Sequence, residues 1–394
     1  MKIGFVIPWY SAEISGGAEF ECRATALKLK ESGFDVEVLT TCVKSFRGDW
    51  NVNHFVPGVE TVEGLEVRRF RVCKSGRDEF HRINRKLMDG TPINVKDERR
   101  FLQEMIRSDD LIHYMKKNQD QYIFILIPYM FGTTYDAALA CPERAVLLPC
   151  LHDESYAYMG VYKEMFRGVR GIIYNSPSEK VLAETLFDIP QGKGILIGMG
   201  MDESLSGQGQ RFKSKFGVEN YLLYVGRKDE GKNVRLLLDY FTAYKRVFPG
   251  NLKLVLIGGG KIELSPGDLD GGIVDLGFVS IQDKLDAFAG AMILCNPSLN
   301  ESFSIVMMES WLSGVPVLVH EKCKVTRDHC TSSQGGLYFG SFEDFVGCVN
   351  FYNENPKLRE KMGQNGAIYV RSNFYWPKVI EKYRSAFQQW GFDL

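Results

Sequence analysis

Residues 292–319 write out one structural unit: strand, loop, helix, strand. The apolar run Met292-Ile293-Leu294-Cys295 reads as a buried strand. A loop rich in Ser and Asn follows and carries Glu301. The next segment has helical character, carries Glu309 and stops at Gly314, and Val315-Pro316-Val317-Leu318-Val319 reads as a second strand. The loop therefore lies at the carboxyl end of a strand and feeds a helix amino terminus. In an open α/β sheet that is where ligands bind. Free N–H groups from Phe303 to Val306, together with the positive end of the helix dipole, favour an anion such as a phosphate. Two acids eight positions apart are usually solvated surface groups. It is the surrounding strand–loop–helix–Gly–Pro–strand pattern that gives this pair its weight.

The same alternation runs through the whole chain. In the first half, strands are expected at 3–7, 35–40, 67–72, 122–127, 145–148 and 171–174, with a helix at 18–32 closed by Gly33. In the second half, strands are expected at 221–225, 252–257 and 273–276, and helices at 234–246 and 281–288. Such alternation predicts an α/β chain with two doubly wound parallel sheets. A Ser-, Gly- and Gln-rich stretch at 202–210 has linker chemistry and separates the halves. Two final helices, 356–371 and 377–390, have no strand between them. Each opens with a proline, which suits a first helical turn.

A chain of 394 residues, 45% hydrophobic and 25% charged, has the size and composition of a two-domain globular protein. Its net charge of −1 gives no global field toward nucleic acid or membrane. The nine cysteines form no C-x-x-C pair and no even framework, so free thiols and a reducing compartment are expected. The first residues have too short an apolar run for a signal peptide, and no apolar stretch approaches a membrane span. The six histidines show no ligand spacing. Asp268-Leu269-Asp270 is a lone D-x-D in a Pro/Gly loop and reads as a turn. No metal site is expected.

Four further segments sit where strands meet helices. Gly226-Arg227 and Lys232-Asn233 follow the strand at 221–225, so a backbone-freeing glycine is succeeded by two cations five residues apart. Gly16-Gly17-Ala18-Glu19 follows the first strand and opens a helix, without the G-x-G-x-x-G spacing of a dinucleotide fingerprint. Leu151-His152-Asp153-Glu154 follows the strand at 145–148. Tyr174-Asn175-Ser176-Pro177-Ser178-Glu179 ends a strand and starts a helix, with Ser178 as a candidate cap. Segment 67–107 breaks the rhythm. It carries Arg68, Arg69, Arg71, Lys74, Arg77, Arg82, Arg85 and Lys86 with apolar residues between. Two readings stand for it: a solvated insertion, or an arm that binds an acceptor at an anionic membrane surface.

Together these motifs resemble the retaining glycosyltransferases of family four (glycosyl transferases group 1), of the cell-envelope or exopolysaccharide type. The resemblance spans most of the chain. It implies a GT-B fold, in which two Rossmann-like domains face a central cleft and the last helix crosses back. The domains are then 1–203 with 377–394, and 204–376. It further implies that Arg227 and Lys232 hold the donor diphosphate behind Gly226, and that the loop of Gly16 and Gly17 closes over the phosphates. His152 is then the group that hydrogen-bonds the transferred sugar. Ser302, Phe303, Ser304 and Ile305 line the anion-binding turn, Glu301 faces the sugar and Glu309 the ribose. The implied donor is a nucleoside diphosphate sugar, UDP-glucose by preference. The implied acceptor is a glycan or polyprenyl-linked chain. No cofactor, metal or nucleic acid is implied, and the expected location is the cytoplasm, with peripheral membrane contact left open.

The chain departs from the family at two places. The segment 197–202 lacks the usual Pro and Asn, and Ser stands at 302 and 304 where Gly is frequent. A positive φ there would strain a serine. Two other functions fit the same architecture: a sugar-nucleotide epimerase and a non-catalytic nucleotide-sugar-binding protein.

Overall fold

In a computed structural model, the protein is described over residues 1–13, 16–203, 206–265, 267–268 and 272–392. It divides into two compact units, Met1–Gly200 with Trp376–Leu394, and Met201–Tyr375. The boundary expected at 203/204 falls against residues 204 and 205, which lie outside the described residues, as does Asp270 of the D-x-D.

The first unit holds a sheet in the order β3-β4-β2-β1-β5-β6-β7-β8. Its strands are β1 (Lys2–Ile7), β2 (Val36–Thr41), β3 (Gly58–Val62), β4 (Leu65–Phe70), β5 (Tyr122–Leu126), β6 (Ala145–Leu147), β7 (Gly171–Tyr174) and β8 (Gly194–Leu196). All neighbours pair in parallel except β3 and β4. The central strands are near-continuous apolar runs because helices cover both of their faces. The β3–β4 hairpin escapes a reading based on apolar runs: β3 is an exposed edge strand. Its turn uses Glu63 and Gly64, both at positive φ, as a two-residue hairpin requires.

Segment 67–107 is not a solvated insertion. β4 alternates buried and half-buried residues, and the helices Arg77–Met88 and Val95–Gln103 bury Phe80, Ile83, Leu87, Phe101 and Leu102 in the core. Much of its positive charge is matched internally. Arg69 is buried, pairs with Glu60, and lies 3.9 Å over the Phe55 ring. Arg68 pairs with Glu37 and Glu66, and Arg82 with Glu79 and Asp97. The helix Trp376–Gln389 packs on the other face of this sheet through Val379, Ile380, Tyr383 and Phe387. The packing is close: a Cβ on Gly200 would sit 2.2 Å from the Trp376 ring.

The second unit holds an all-parallel sheet in the order β11-β10-β9-β12-β13-β14. Its strands are β9 (Tyr221–Val225), β10 (Lys253–Ile257), β11 (Ile273–Gly277), β12 (Ile293–Asn296), β13 (Val317–His320) and β14 (Gly336–Phe339). In chain order this is 3-2-1-4-5-6, the Rossmann arrangement. Its two ends meet, since Met201 N donates to Phe374 O at 2.7 Å.

Candidate functional site

The strand order of the second unit reverses between β9 and β12. At such a switch point the loops after the two strands diverge to opposite sides and leave a crevice. The β9 loop carries Gly226, Arg227 and Lys232, and the β12 loop carries Glu301. The turns after β9 and β10 touch backbone to backbone. A Cβ on Gly258, at φ +125°, would lie 2.1 Å from the Gly226 carbonyl. Lys228 N donates to Gly259 O at 2.7 Å, and Tyr224 Oη to Arg227 O at 2.6 Å. Burial, reinforced by the Glu301 charge, pushes the Tyr224 hydroxyl well above its usual range and keeps it a donor.

The three cations on this turn have different fates. The Arg227 side chain is 49% exposed, with Nε 3.3 Å from Asp229 Oδ2. Lys228, which the sequence reading passed over, is buried and paired with Asp275 at 2.5 Å. Lys232 ends a short 3-10 turn capped by Asp229. Its Nζ lies 2.7 Å from Glu301 Oε1. The structure thus joins two residues to which the sequence reading gave separate tasks.

The β12 loop is braced from within. Buried Asn296 donates to Ser304 Oγ at 2.9 Å and to Glu301 Oε1 at 3.4 Å. Ser304 sits at φ +70°, ψ 73°, so the strain anticipated for serine is present. It precedes the helix Ile305–Leu312, where Met307 N donates back to Ser304 O at 3.1 Å while the first two N–H groups, of Ile305 and Val306, have no intrahelical acceptor. The Phe303 side chain is committed to packing, edge-on to Phe374 and His329. Phe303 therefore has its backbone alone to offer a ligand. Ser302 is half-buried. One turn further, Glu309 Oε1 accepts from Lys284 Nζ at 2.6 Å. Glu309 Oε2 is buried and has no partner among the described residues. Lys284 carries no signal in the sequence, because a single lysine on an amphipathic helix looks like any surface lysine.

The remaining candidates lie in the first unit. Gly16 is the extended N-cap of the helix Gly17–Glu31, beside the β1–β5 switch point. A Cβ on it would fall 2.0 Å from Glu19 Oε2, and Glu19 Oε1 accepts from Trp9 Nε1 at 2.7 Å. Residues 14 and 15 lie outside the described residues. His152 follows β6. Its side chain is about one-third exposed, with Nδ1 3.6 Å from Glu154 Oε1. The cap of the helix Pro177–Phe187 is Ser176, whose side chain accepts from Glu179 N, and not Ser178. Among the described residues, no group of three or more His, Cys, Asp or Glu is placed to hold a metal ion. No helix among them is long and apolar enough to cross a membrane.

Comparison with known proteins bears on the fold and on the second unit. Residues 219–349, which contain both switch-point loops, match the family model for glycosyl transferases group 1. An uncharacterized glycosyltransferase of Methanocaldococcus jannaschii is 24% identical over 429 residues, spanning 99% of this chain and 100% of the relative. Among solved structures, HepE of Anabaena in complex with UDP superposes with a TM-score of 0.72 at 14% identity, covering 98% of this chain and 100% of that one. Sucrose-phosphate synthase of Thermosynechococcus elongatus gives a TM-score of 0.70 at 16% identity, covering 98% of each chain. The fold is GT-B, and the second unit carries a glycosyl transferases group 1 domain.

Proposed function

We propose that the protein is a retaining, metal-independent glycosyltransferase. It moves a hexose from a nucleoside diphosphate sugar, UDP-glucose first among the candidates, to a glycan or polyprenyl-linked acceptor in envelope polysaccharide synthesis. Its place is the cytoplasm, at the inner face of the membrane. The observation that carries this reading is the β9–β12 crevice. Lys232, Arg227, a helix amino terminus and a buried acceptor oxygen of Glu309 are assembled around it. The HepE structures in complex with UDP and with UDP-glucose support a UDP-sugar as donor.

In this reading the diphosphate lies against the first turn of the helix Ile305–Leu312. Glu309 Oε2 accepts from a ribose hydroxyl. Glu301 exchanges Lys232 for sugar hydroxyls, and Lys232 turns to the phosphates. As the bond from C1 of the sugar to the phosphate oxygen breaks, charge grows on the leaving diphosphate. Arg227, Lys232 and the N–H groups stabilise that charge more than the ground state. The acceptor oxygen bonds to C1 on the face the phosphate leaves. Its proton passes to the departing phosphate oxygen, so configuration is retained without a protein base. His152 is assigned to the sugar, and Gly16 and Gly17 to the phosphates.

Incubation with UDP-[14C]glucose and a panel of glycan and polyprenyl-phosphate acceptors tests the proposal. Label in an α-linked acceptor product is the expected result. Isomerised donor without transfer identifies an epimerase, and tight binding without turnover identifies a sensor.

A further inference from the structure

Glu179 lies wholly buried in the first unit, on the first turn of the helix Pro177–Phe187. Its carboxylate reaches back past the Ser176 N-cap of its own helix and across to the neighbouring loop. Oε1 accepts from Leu151 N and Oε2 from Asn175 N, both at 2.6 Å. These two N–H groups belong to the loops that follow β6 and β7, two neighbouring strands. One side chain thus ties two strand ends together through two short hydrogen bonds. Leu151 directly precedes His152. The residue before it, Cys150, is held at φ +51°, where a residue with a Cβ is strained.

A second buried acid extends the bracket. Asn175 Nδ2 donates to Glu21 Oε2 at 3.0 Å, and Cys150 Sγ lies 3.4 Å from the same oxygen. Glu21 stands on the helix that Gly16 caps. The loop after β6, the loop after β7 and the helix Gly17–Glu31 are therefore linked by two buried carboxyls and one amide. Two buried acids are costly, and a hydrophobic pair would serve packing better. Packing alone does not account for them.

We infer that Glu179 is a positioning residue for His152: its carboxylate clamps the Leu151 and Asn175 amides and so fixes the loop that presents the imidazole to the donor sugar. This rests on the sugar-facing role proposed for His152. Removal of the clamp should loosen His152 without touching the nucleotide, which the second unit holds.

Burial pushes the Glu179 carboxyl up to about 8, against the pull of its two N–H donors. The groups around it are Glu21 on the helix Gly17–Glu31, Cys150 and His152 on the β6 loop, and Tyr174 on β7, with Glu19 acting on Cys150 and Tyr383 of the last helix behind Glu21. The clamp should tighten as pH rises through that range. Glu179→Gln is the variant of choice. It keeps the shape and the neutral charge that burial favours, but offers an NH2 where a backbone N–H needs an acceptor.

The test combines two measurements on the full chain. Amide spectra of protein labelled with 15N at leucine and asparagine report the clamp directly. The Leu151 and Asn175 signals should titrate near pH 8 in the parent protein, and should move and lose that titration in Glu179→Gln. Unmoved signals overturn the clamp. Calorimetry with UDP-glucose and with UDP then reports what the clamp does. At pH 9, where the carboxylate is charged, Glu179→Gln should weaken UDP-glucose by about tenfold, the scale of one charged hydrogen bond, and leave UDP unchanged. In a His152→Ala background it should cost nothing further. Equal losses for UDP and UDP-glucose, or losses that add to those of His152→Ala, overturn the positioning role. If the parent protein binds UDP but not UDP-glucose, the donor proposed above fails. The calorimetric comparison is then run with the nucleoside diphosphate sugar that does bind.

Discussion

Lys232 Nζ and Glu301 Oε1 form a direct ion pair at 2.7 Å, across the point where the strand order of the second sheet reverses. Under the function proposed above, each residue stands in for part of the other's ligand: the ammonium for sugar hydroxyls on the carboxylate, and the carboxylate for a phosphate on the ammonium. Donor binding would then divide the pair. Glu301→Gln removes the neutralising charge from Lys232. UDP should therefore bind the variant as well as the parent, or up to about fivefold more tightly, since partly exposed pairs contribute up to about 1 kcal/mol. UDP-glucose should bind more weakly. Calorimetry with both ligands decides the matter, and a variant that loses UDP along with UDP-glucose would place Glu301 on the nucleotide.

Neighbouring cations should give opposite phenotypes. Arg227 is half exposed, so Arg227→Ala should melt like the parent protein and yet lose at least about tenfold in turnover, the equivalent of roughly 1.4 kcal/mol at the transition state. Lys228 is buried against Asp275. Lys228→Ala takes the partner from a partly exposed carboxylate and empties a buried site, and should cost about 1–3 kcal/mol of stability. Thermal melts and initial rates on the two proteins separate the roles. A destabilised Arg227→Ala would move Arg227 into the scaffold.

Glu309 offers one buried oxygen that has no partner among the described residues, with its other oxygen held by Lys284. If that oxygen serves the ribose, Glu309→Gln should weaken UDP by about tenfold, as loss of a hydrogen bond to a charged group does. Inorganic pyrophosphate, which has no ribose, should bind the variant and the parent protein alike. A matching loss for pyrophosphate would mean that the variant has disturbed the helix amino terminus instead.

What was legible in the sequence follows from the kind of signal each feature leaves. Residues 221–225 and 293–296 are apolar runs that leave no other option, and strand–glycine–helix junctions mark the ends that carry Gly226 and Glu301. Two doubly wound parallel sheets could be read on that basis, and the resemblance to a known family implied that they form a GT-B fold. The β3 edge strand could not, because its exposed residues carry no apolar pattern. The core role of segment 67–107 was hidden for a related reason. Its arginines dominate the composition, while Phe80, Ile83 and Phe101 carry the packing. Contacts between distant residues left the weakest trace. Nothing in the order of residues says that Lys284 meets Glu309, that Lys232 meets Glu301, or that Glu179 reaches back to Leu151. Ser304 is the instructive intermediate case. Its cost could be foreseen from the backbone it would need, but its support, the amide of Asn296, could not.

The buried acids of the first unit give the chain a definite pH dependence. Burial raises Glu21 from an ordinary value of 4.5 to about 7, outweighing its bonds from Asn175 and Cys150. The folded state then holds a proton that the unfolded chain has released. A carboxyl shifted upward contributes its full stability below about pH 4.5 and loses it as pH rises through about 7. Glu179 acts in the same direction, through about 8. For Glu21 the difference is on the order of 3 kcal/mol. The parent protein should therefore melt at a higher temperature at pH 5 than at pH 8. Glu21→Gln carries no charge to bury, so its melting temperature should change less over the same interval and exceed that of the parent at pH 8. Scanning calorimetry of both proteins at the two pH values checks the sign. A parent protein that gains stability between pH 5 and 8, with Glu21→Gln following it in parallel, would show that Glu21 is ionised throughout and that its hydrogen bonds outweigh its burial.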